Sequence, residues 1–291
     1  MATRDSGDAG ARRGRLLVVA TPIGNLGDLS PRAAEALQSA DAVAAEDTRR
    51  TLKLFGHLGA KPPALLSLPA FDERGRLAGI VERLKEGQTI ALCTDAGTPG
   101  ISDPGALLVE AAWETGAAVV PIPGPSAAAS ALAASGFPAD RFFFAGFLPR
   151  KGGARRDALA LLARVPATLV LYEAGNRTAE TLRDLAEALG DRRALVAREL
   201  TKLHEQLERA RLGELAERFS GEVLGEVTLV VAPPEEGTPP AAEEAAEPLE
   251  AELRRRLEAG EAPSGLAREV AKARGLKRSD VYDAIERLKH G

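Results

Sequence analysis

Residues 16–33 read LLVVATPIGNLGDLSPRA, and the order of residue types in this stretch decides the architecture. Residues 16–20 form a short apolar run without alternation, the pattern of a strand buried on both faces of a parallel sheet. A turn rich in Gly, Asn and Asp follows. Ser30 then precedes Pro31, which reads as an N-cap with proline at the first helical position, so a helix is expected over 31–38. Strand, Gly-rich turn and helix together make the repeating unit of α/β folds. Working outward, apolar runs predict strands at 42–45, 89–93, 117–122, 142–144, 168–171, 194–197 and 226–231. Helical spacing predicts helices at 73–86, 104–113, 126–134, 157–163, 177–189 and 212–219. Such alternation implies α/β layers with mostly parallel strands.

Pro121, Pro123, Gly124 and Pro125 punctuate the middle and suggest two α/β domains, 16–122 and 123–232. Residues 1–15 are polar and aperiodic and read as a mobile tail. Residues 233–248 (PPEEGTPPAAEEAAEP) read as a linker, stiffened by proline and like charge. Beyond it a small helical unit, 249–291, is expected, with helices at 249–257, 264–273 and 277–289. Gly275 would form the turn of a helix-turn-helix pattern.

Composition narrows the function. The 291 residues are 45% hydrophobic and 27% charged, as in an ordinary globular protein. No apolar run approaches the ~18 residues that cross a bilayer. The first fifteen residues lack the apolar core of a secretory signal. Cys93 is the one cysteine and there are three histidines, too few for an internal disulfide or a typical zinc site. A reducing cytoplasm fits. The net charge of −4 excludes a uniformly basic nucleic-acid coat but leaves room for a local basic patch.

Three small-residue loops carry the candidate chemistry. Residues 21–30 (TPIGNLGDLS) follow the first strand, where a ligand crevice opens at the carboxyl ends of a parallel sheet. They read either as a ligand turn or as a plain turn needing Gly and Asn at positive φ. Residues 94–105 (TDAGTPGISDPG) follow another strand, and their small residues would let the main chain touch a ligand. The two carboxylates of this loop, Asp95 and Asp103, could accept hydrogen bonds from a ribose or an amine, though Asp103 before Pro104 also resembles a helix N-cap, a structural role. Residues 123–128 (PGPSAA) place Ser126 at a helix N-terminus, as a cap or a ligand contact. Charged residues also follow strands at AEDTRR (45–50), GFLPRKGG (146–153), YEA (172–174) and ARELTK (197–202).

Together, TPIGNLGDLSPRA, AEDTRRT, TDAGTPGISDPG, PGPSAAASAL, GFLPRK and ARELTK resemble the tetrapyrrole methylase superfamily of S-adenosylmethionine-dependent methyltransferases. Within it they are most similar to the branch that methylates ribose 2′-hydroxyls of 16S rRNA. Any one motif is weak; six in order, each after a strand, are specific. The resemblance spans 16–232 and implies two α/β domains with the methyl donor between them. It also implies a homodimer and a cytidine of the small ribosomal subunit as target. By resemblance, Asp95, Ala96, Gly97, Thr98, Ile101, Ser102, Ser126 and Ala127 hold the donor, with Pro22 and Gly24 nearby. Tyr172, Arg198 and Leu200 line its adenosine side.

Methyl transfer suits this residue inventory. A sulfonium donor needs neither metal nor nucleophilic cysteine, and catalysis is then positioning and electrostatics. A ribose hydroxyl profits from a base. Glu46 and Asp47 are the candidate bases, and Lys202 joins them in the catalytic set. Arg49, Arg198 and Lys202 are candidates to hold phosphates, and Arg49, Arg150, Lys151, Lys277 and Arg278 to bind RNA. Residues 264–291 carry seven Lys/Arg against four Asp/Glu, a local +3. Basic side chains of this kind gain by releasing counterions from phosphate. Two alternatives stay open, a methylase of a tetrapyrrole precursor and a ligand-responsive DNA-binding regulator. The first would want a more aromatic pocket than 4% aromatics provides, and Asp280, Asp283 and Glu286 on the last helix weigh against the second.

Overall fold

The computed structural model describes residues 13–235, 249–274 and 276–290. Expectations for 1–12, 236–248 and Gly275 lie outside the described residues.

The first sheet is built from β1 (Arg15–Val19), β2 (Ala42–Ala45), β3 (Ala64–Ser67), β4 (Thr89–Cys93) and β5 (Ala118–Ile122), in the order β3-β2-β4-β1-β5, all parallel. Side chains alternate faces along a strand. Leu17, Val19, Val43 and Ala45 therefore bury against α1 (Pro31–Ser39) and α2 (Thr48–His57), whose Leu37, Leu54 and Phe55 fill that side. Leu16, Ala42, Ala44 and Leu92 face the opposite side, against α3 (Glu73–Lys85) and α4 (Ala106–Glu114), which supply Ile80, Leu84 and Leu108. Burying each such leucine or phenylalanine stabilises by about 2–3 kcal/mol. Because every strand is parallel, the loops after β1, β2, β4 and β5 all emerge at one edge.

The second sheet has the order β6-β7-β10-β8-β9, from β6 (Phe142–Phe147), β7 (Thr168–Ala174), β8 (Arg193–Arg198), β9 (Gln206–Arg211) and β10 (Glu226–Val231). It is mixed, which corrects the expectation of mostly parallel strands: β10 runs antiparallel to β7 and β8, and β9 antiparallel to β8. Helix α5 (Ala127–Ser135) covers one face, packing Ala131 and Leu132 on Val170, Leu195 and Val230. Helices α6 (Gly153–Ala163), α7 (Thr178–Leu189) and α8 (Leu212–Arg218) cover the other through Leu159, Leu182, Leu185 and Leu215. Three further helices, α9 (Leu249–Glu258), α10 (Pro263–Arg274) and α11 (Arg278–His290), share a core of their own around Leu253, Leu266, Val270, Val281 and Ile285.

Several local expectations change. Strand β1 starts inside the supposed tail, where the Arg15 N–H donates to Gln88 O at 3.0 Å. Helix α2 and strands β3 and β9 had no sequence expectation. Helix α4 begins at Ala106 with Gly105 (φ 129°) as its N-cap, so Asp103 is not the cap. Its free N–H groups are met from elsewhere: Glu73 Oε1 accepts from the N–H of Gly105 at 3.0 Å and Leu107 at 3.1 Å.

Candidate functional site

The edge at which the parallel strands end faces the matching edge of the second sheet. Ala174 closes β7 directly opposite Glu226, which opens the antiparallel β10. A cleft of about 450 Å³ lies between them. From the first sheet it is lined by Glu46 after β2, by Asp95, Ala96, Gly97, Thr98, Ile101, Ser102 and Asp103 after β4, and by Ser126 and Ala127 after β5. From the second come Phe147, Tyr172, Glu173, and the start of β10 from Gly225 to Thr228. Eight of the residues that resemblance assigns to the donor thus share one cavity with Tyr172.

The loop after β4 is fastened at both ends. Thr21 and Gly97 exchange backbone hydrogen bonds at 2.8 and 3.0 Å, and the Gly105 N–H is held by Glu73. Between them Ser102 sits at φ 64°, a left-handed conformation that a non-glycine residue holds only at a cost. Strand β6 bulges beside it between Phe144 and Gly146. Gly146 has φ 62°, a left-handed backbone at the bulge that favours glycine, and it lies against Ser102, to whose Oγ a Cβ would stand in ordinary contact at 3.4 Å. Ser126 caps α5, its Oγ accepting from the Ala129 N–H at 3.4 Å. The Tyr172 hydroxyl accepts from the Ala128 N–H at 3.3 Å, and its ring stands edge-on to Phe144 at 4.9 Å.

The site is acidic. Burial raises the Glu46 and Asp95 carboxyls above their ordinary range, against the opposing pull of nearby hydrogen bonds and Arg50. Asp103, half-buried, is pushed up to about 7, first by desolvation and then by the charges of Glu46, Asp95 and Glu226. Arg50, absent from the sequence reading as a site residue, pairs with Asp95 at 3.3 Å and lines the cleft. Phe147, Glu173 and Glu226 are also cleft-lining residues that sequence reasoning missed, and Asp103, which the sequence left between a ligand contact and a cap, lines the cleft. A signal was there for Glu226, which opens a predicted strand.

Other expected residues lie elsewhere. Asp47 caps α2, accepting from the Arg49 N–H at 2.9 Å, and pairs with the Arg49 guanidinium at 2.7 Å. Those bonds to Arg49 hold its carboxyl down at about 2, and it does not line the cleft, so it is a poor base. Lys202 bridges Glu199 and Glu226, at 2.8 Å each. Partial burial lowers its pKa, but these two carboxylates outweigh that and keep it charged, unfit to take a proton. Arg198 is tied to Leu224 O at 2.7 Å and to Gln206, and Leu200 packs against the α5-side cluster that also holds Tyr172, without lining the cleft itself. Pro22 lines a smaller neighbouring recess. The 21–30 turn contains no positive φ; Gly24 is needed for close approach instead, since a Cβ there would stand 2.8 Å from Thr201 Oγ1 and 3.0 Å from Leu200 O.

Arg49 is exposed beside the cleft mouth, while Arg150 and Lys151 line a separate groove of about 740 Å³ between α6 and α7. Lys277 and Arg278 are exposed at the start of α11. Burial pushes the Cys93 thiol up to about 12, which leaves it an inert core residue. No helix among the described residues is long and apolar enough to cross a membrane.

Residues 15–216 match the family model described as Tetrapyrrole (Corrin/Porphyrin) Methylases. Among curated proteins, the chain is 55% identical over 193 residues (66% of this chain, 70% of the other) to the "Ribosomal RNA small subunit methyltransferase I" of Xylella fastidiosa. It is 45% identical over 271 residues (92% and 96%) to the protein of the same name from Synechocystis. Among solved structures, it resembles the uroporphyrin-III C-methyltransferase of Thermus thermophilus complexed with S-adenyl homocysteine. There the TM-score is 0.53 at 23% identity, over 75% of this chain and 97% of that one, a likeness of fold.

Proposed function

The chain belongs to the tetrapyrrole (corrin/porphyrin) methylase family, and from that premise we propose that it transfers a methyl group from S-adenosylmethionine to the 2′-hydroxyl of a cytidine ribose in small-subunit ribosomal RNA. One observation carries the reading. Loops from both sheets converge on a single cleft whose walls are small residues and carboxylates.

That chemistry fits the donor. S-adenosylmethionine, when bound, supplies a methyl group already activated by the sulfonium charge. Glu46 and Asp95 offer negative charge to a cationic ligand, in a partly desolvated setting where such attraction is strong. Ala96, Gly97 and Ala127 leave the main chain accessible, and Tyr172 and Phe147, 5.6 Å apart, form an aromatic wall. The fastened loop after β4 holds these groups in place before ligand arrives, which is what a positioning catalyst requires.

Ribosomal RNA as the acceptor is supported by the names of the relatives and by exposed cations. Arg49, Arg150, Lys151, Lys277 and Arg278 are all exposed and suited to phosphate contacts whose strength falls with salt. The reading includes a cytoplasmic site of action and a homodimer; exposed Phe142 and Phe143 on the edge strand β6 support the latter.

The test is incorporation of labelled methyl from S-adenosylmethionine into small ribosomal subunits taken from cells lacking this protein. Label in the RNA is the expected result. Calorimetric uptake of the donor with no label in any RNA would overturn the reading.

A further inference from the structure

We propose that Asp103 is the proton acceptor for the attacking ribose hydroxyl. The inference rests on the ribose-methyltransferase reading and assigns a residue to its chemical step.

Five carboxylates line the cleft, and four are already engaged. Glu46 accepts from the Asp95 N–H at 3.3 Å. Asp95 accepts from the Asp47 N–H at 3.1 Å and pairs with Arg50. Glu173 is almost fully buried and accepts from Thr181 Oγ1 at 2.6 Å and from the Ala174 N–H at 2.9 Å. Glu226 receives Lys202 at 2.8 Å. Asp103 lines the same cavity, yet among the described residues its carboxylate accepts no hydrogen bond and forms no ion pair. Its lone pairs are open to a ligand. The loop that carries it is held by hydrogen bonds to the backbone at Gly97 and Gly105, so the carboxylate is presented without reorganisation.

The charges facing it come from every wall: Glu46 after β2, Asp95 after β4, Glu226 on β10, the Tyr172 phenol on β7, and Arg50 on α2 as the cation. Desolvation first, and then the three carboxylates, place the Asp103 carboxyl at about 7, the range in which a base is both free and strong enough near neutral pH. In the step, the 2′ oxygen bonds to the methyl carbon as the carbon–sulfur bond breaks. The electron pair of that bond stays on sulfur, giving a neutral thioether. The hydroxyl proton passes to an Asp103 carboxylate oxygen and then to solvent through the open cleft.

The experiment compares the full-length wild-type chain with Asp103→Asn and Asp103→Glu. Turnover on small subunits is expected to fall about 100-fold or more in Asp103→Asn, while its donor Kd, read by calorimetry, stays within about threefold. Wild-type kcat/KM should rise with pH through about 7, and this rise should be missing from the residual activity of Asp103→Asn. Asp103→Glu should recover part of the rate and of the pH dependence. A carbon-13 carboxyl titration of the donor-free enzyme should show one Asp resonance changing near 7, absent from the Asn variant. Near-wild-type turnover in Asp103→Asn overturns the assignment. So does loss of donor binding instead of turnover, which would make Asp103 a donor-holding residue. If the variant does not fold, the wild-type titration and pH profile decide, and no near-neutral carboxyl means the assignment is wrong. Wild type that binds donor but never labels RNA refutes the underlying reading, separately from the carboxyl titration.

Discussion

The carboxylate of Glu46 accepts a hydrogen bond from the backbone N–H of Asp95 at 3.3 Å. Asp95 answers by accepting from the next residue after Glu46, the Asp47 N–H, at 3.1 Å. The ends of β2 and β4 are thereby locked side by side, and the floor of the cleft is set. Glu46→Gln keeps an acceptor for the Asp95 N–H, whereas Glu46→Ala leaves a half-buried donor unpaired at a cost of about 1–3 kcal/mol. Donor affinity measured by calorimetry should therefore drop about tenfold or more in Glu46→Ala and clearly less in Glu46→Gln. Equal losses would mean that Glu46 acts by charge alone.

Asp103 also links stability to pH. Its carboxyl is raised from 3.8 to about 7 in the fold. Between these values the native state binds more protons than the unfolded chain, so stability falls as pH rises from about 4 to about 7 and is level above. Asparagine removes that penalty. Discounted for partial exposure, Asp103→Asn should be more stable than wild type by about 1–2 kcal/mol at pH 8. The difference should shrink toward pH 4 in urea titrations. A constant difference across this range would contradict the assigned shift.

Arg155 fastens α6 to α7 behind the cleft. It is buried, pairs with Asp184 at 2.6 Å, and donates to Pro149 O and Thr181 Oγ1, both at 3.0 Å. Thr181 in turn donates to the cleft residue Glu173 at 2.6 Å. Arg155→Met leaves Asp184 and the Pro149 carbonyl without their partner, and should cost about 2–3 kcal/mol in denaturant titrations. A change below about 0.5 kcal/mol, the level of an ordinary surface substitution, would show the network to be incidental.

Gly24→Ala tests the contact between the first and second sheets' loops. The added methyl would meet the Leu200 carbonyl at 3.0 Å and Thr201 Oγ1 at 2.8 Å, with Lys202 pressed alongside. Thr201 has φ 66° and little room to yield. The variant should lose about 1–3 kcal/mol of stability, as overpacked sites do. Wild-type stability would mean that the two loops separate freely.

What the sequence made legible was governed by local periodicity. The continuous apolar runs at 16–20 and 42–45, the Ser30 cap and the strand-then-small-residue order are short-range signals, and four of the five strands of the first sheet followed from them. Strand β3 is an edge of four residues with only three apolar ones, between prolines and partly exposed, and β9 holds just Leu207 and Ala210 among polar and charged residues, on opposite faces. Their existence depends on a neighbour. Asp103 before Pro104 reads as a helix cap because nothing local reveals that Glu73, thirty residues earlier, takes over that task. Likewise Asp47 and Lys202 stand correctly at strand ends, but their commitments to Arg49, Glu199 and Glu226 follow from side-chain geometry and chain crossings. The loops after β4 and β5 were legible as cleft walls because small residues after a buried strand stand at a parallel sheet's carboxyl edge, where a crevice opens.

The most direct measurement is nucleoside mass spectrometry of 16S rRNA, after small subunits from cells lacking this protein are incubated with the purified full-length chain and S-adenosylmethionine. The proposed ribose-methyltransferase reading predicts a gain of 2′-O-methylcytidine at a single position. A methyl group on a base, or no new methylated nucleoside despite donor bound, would contradict the account.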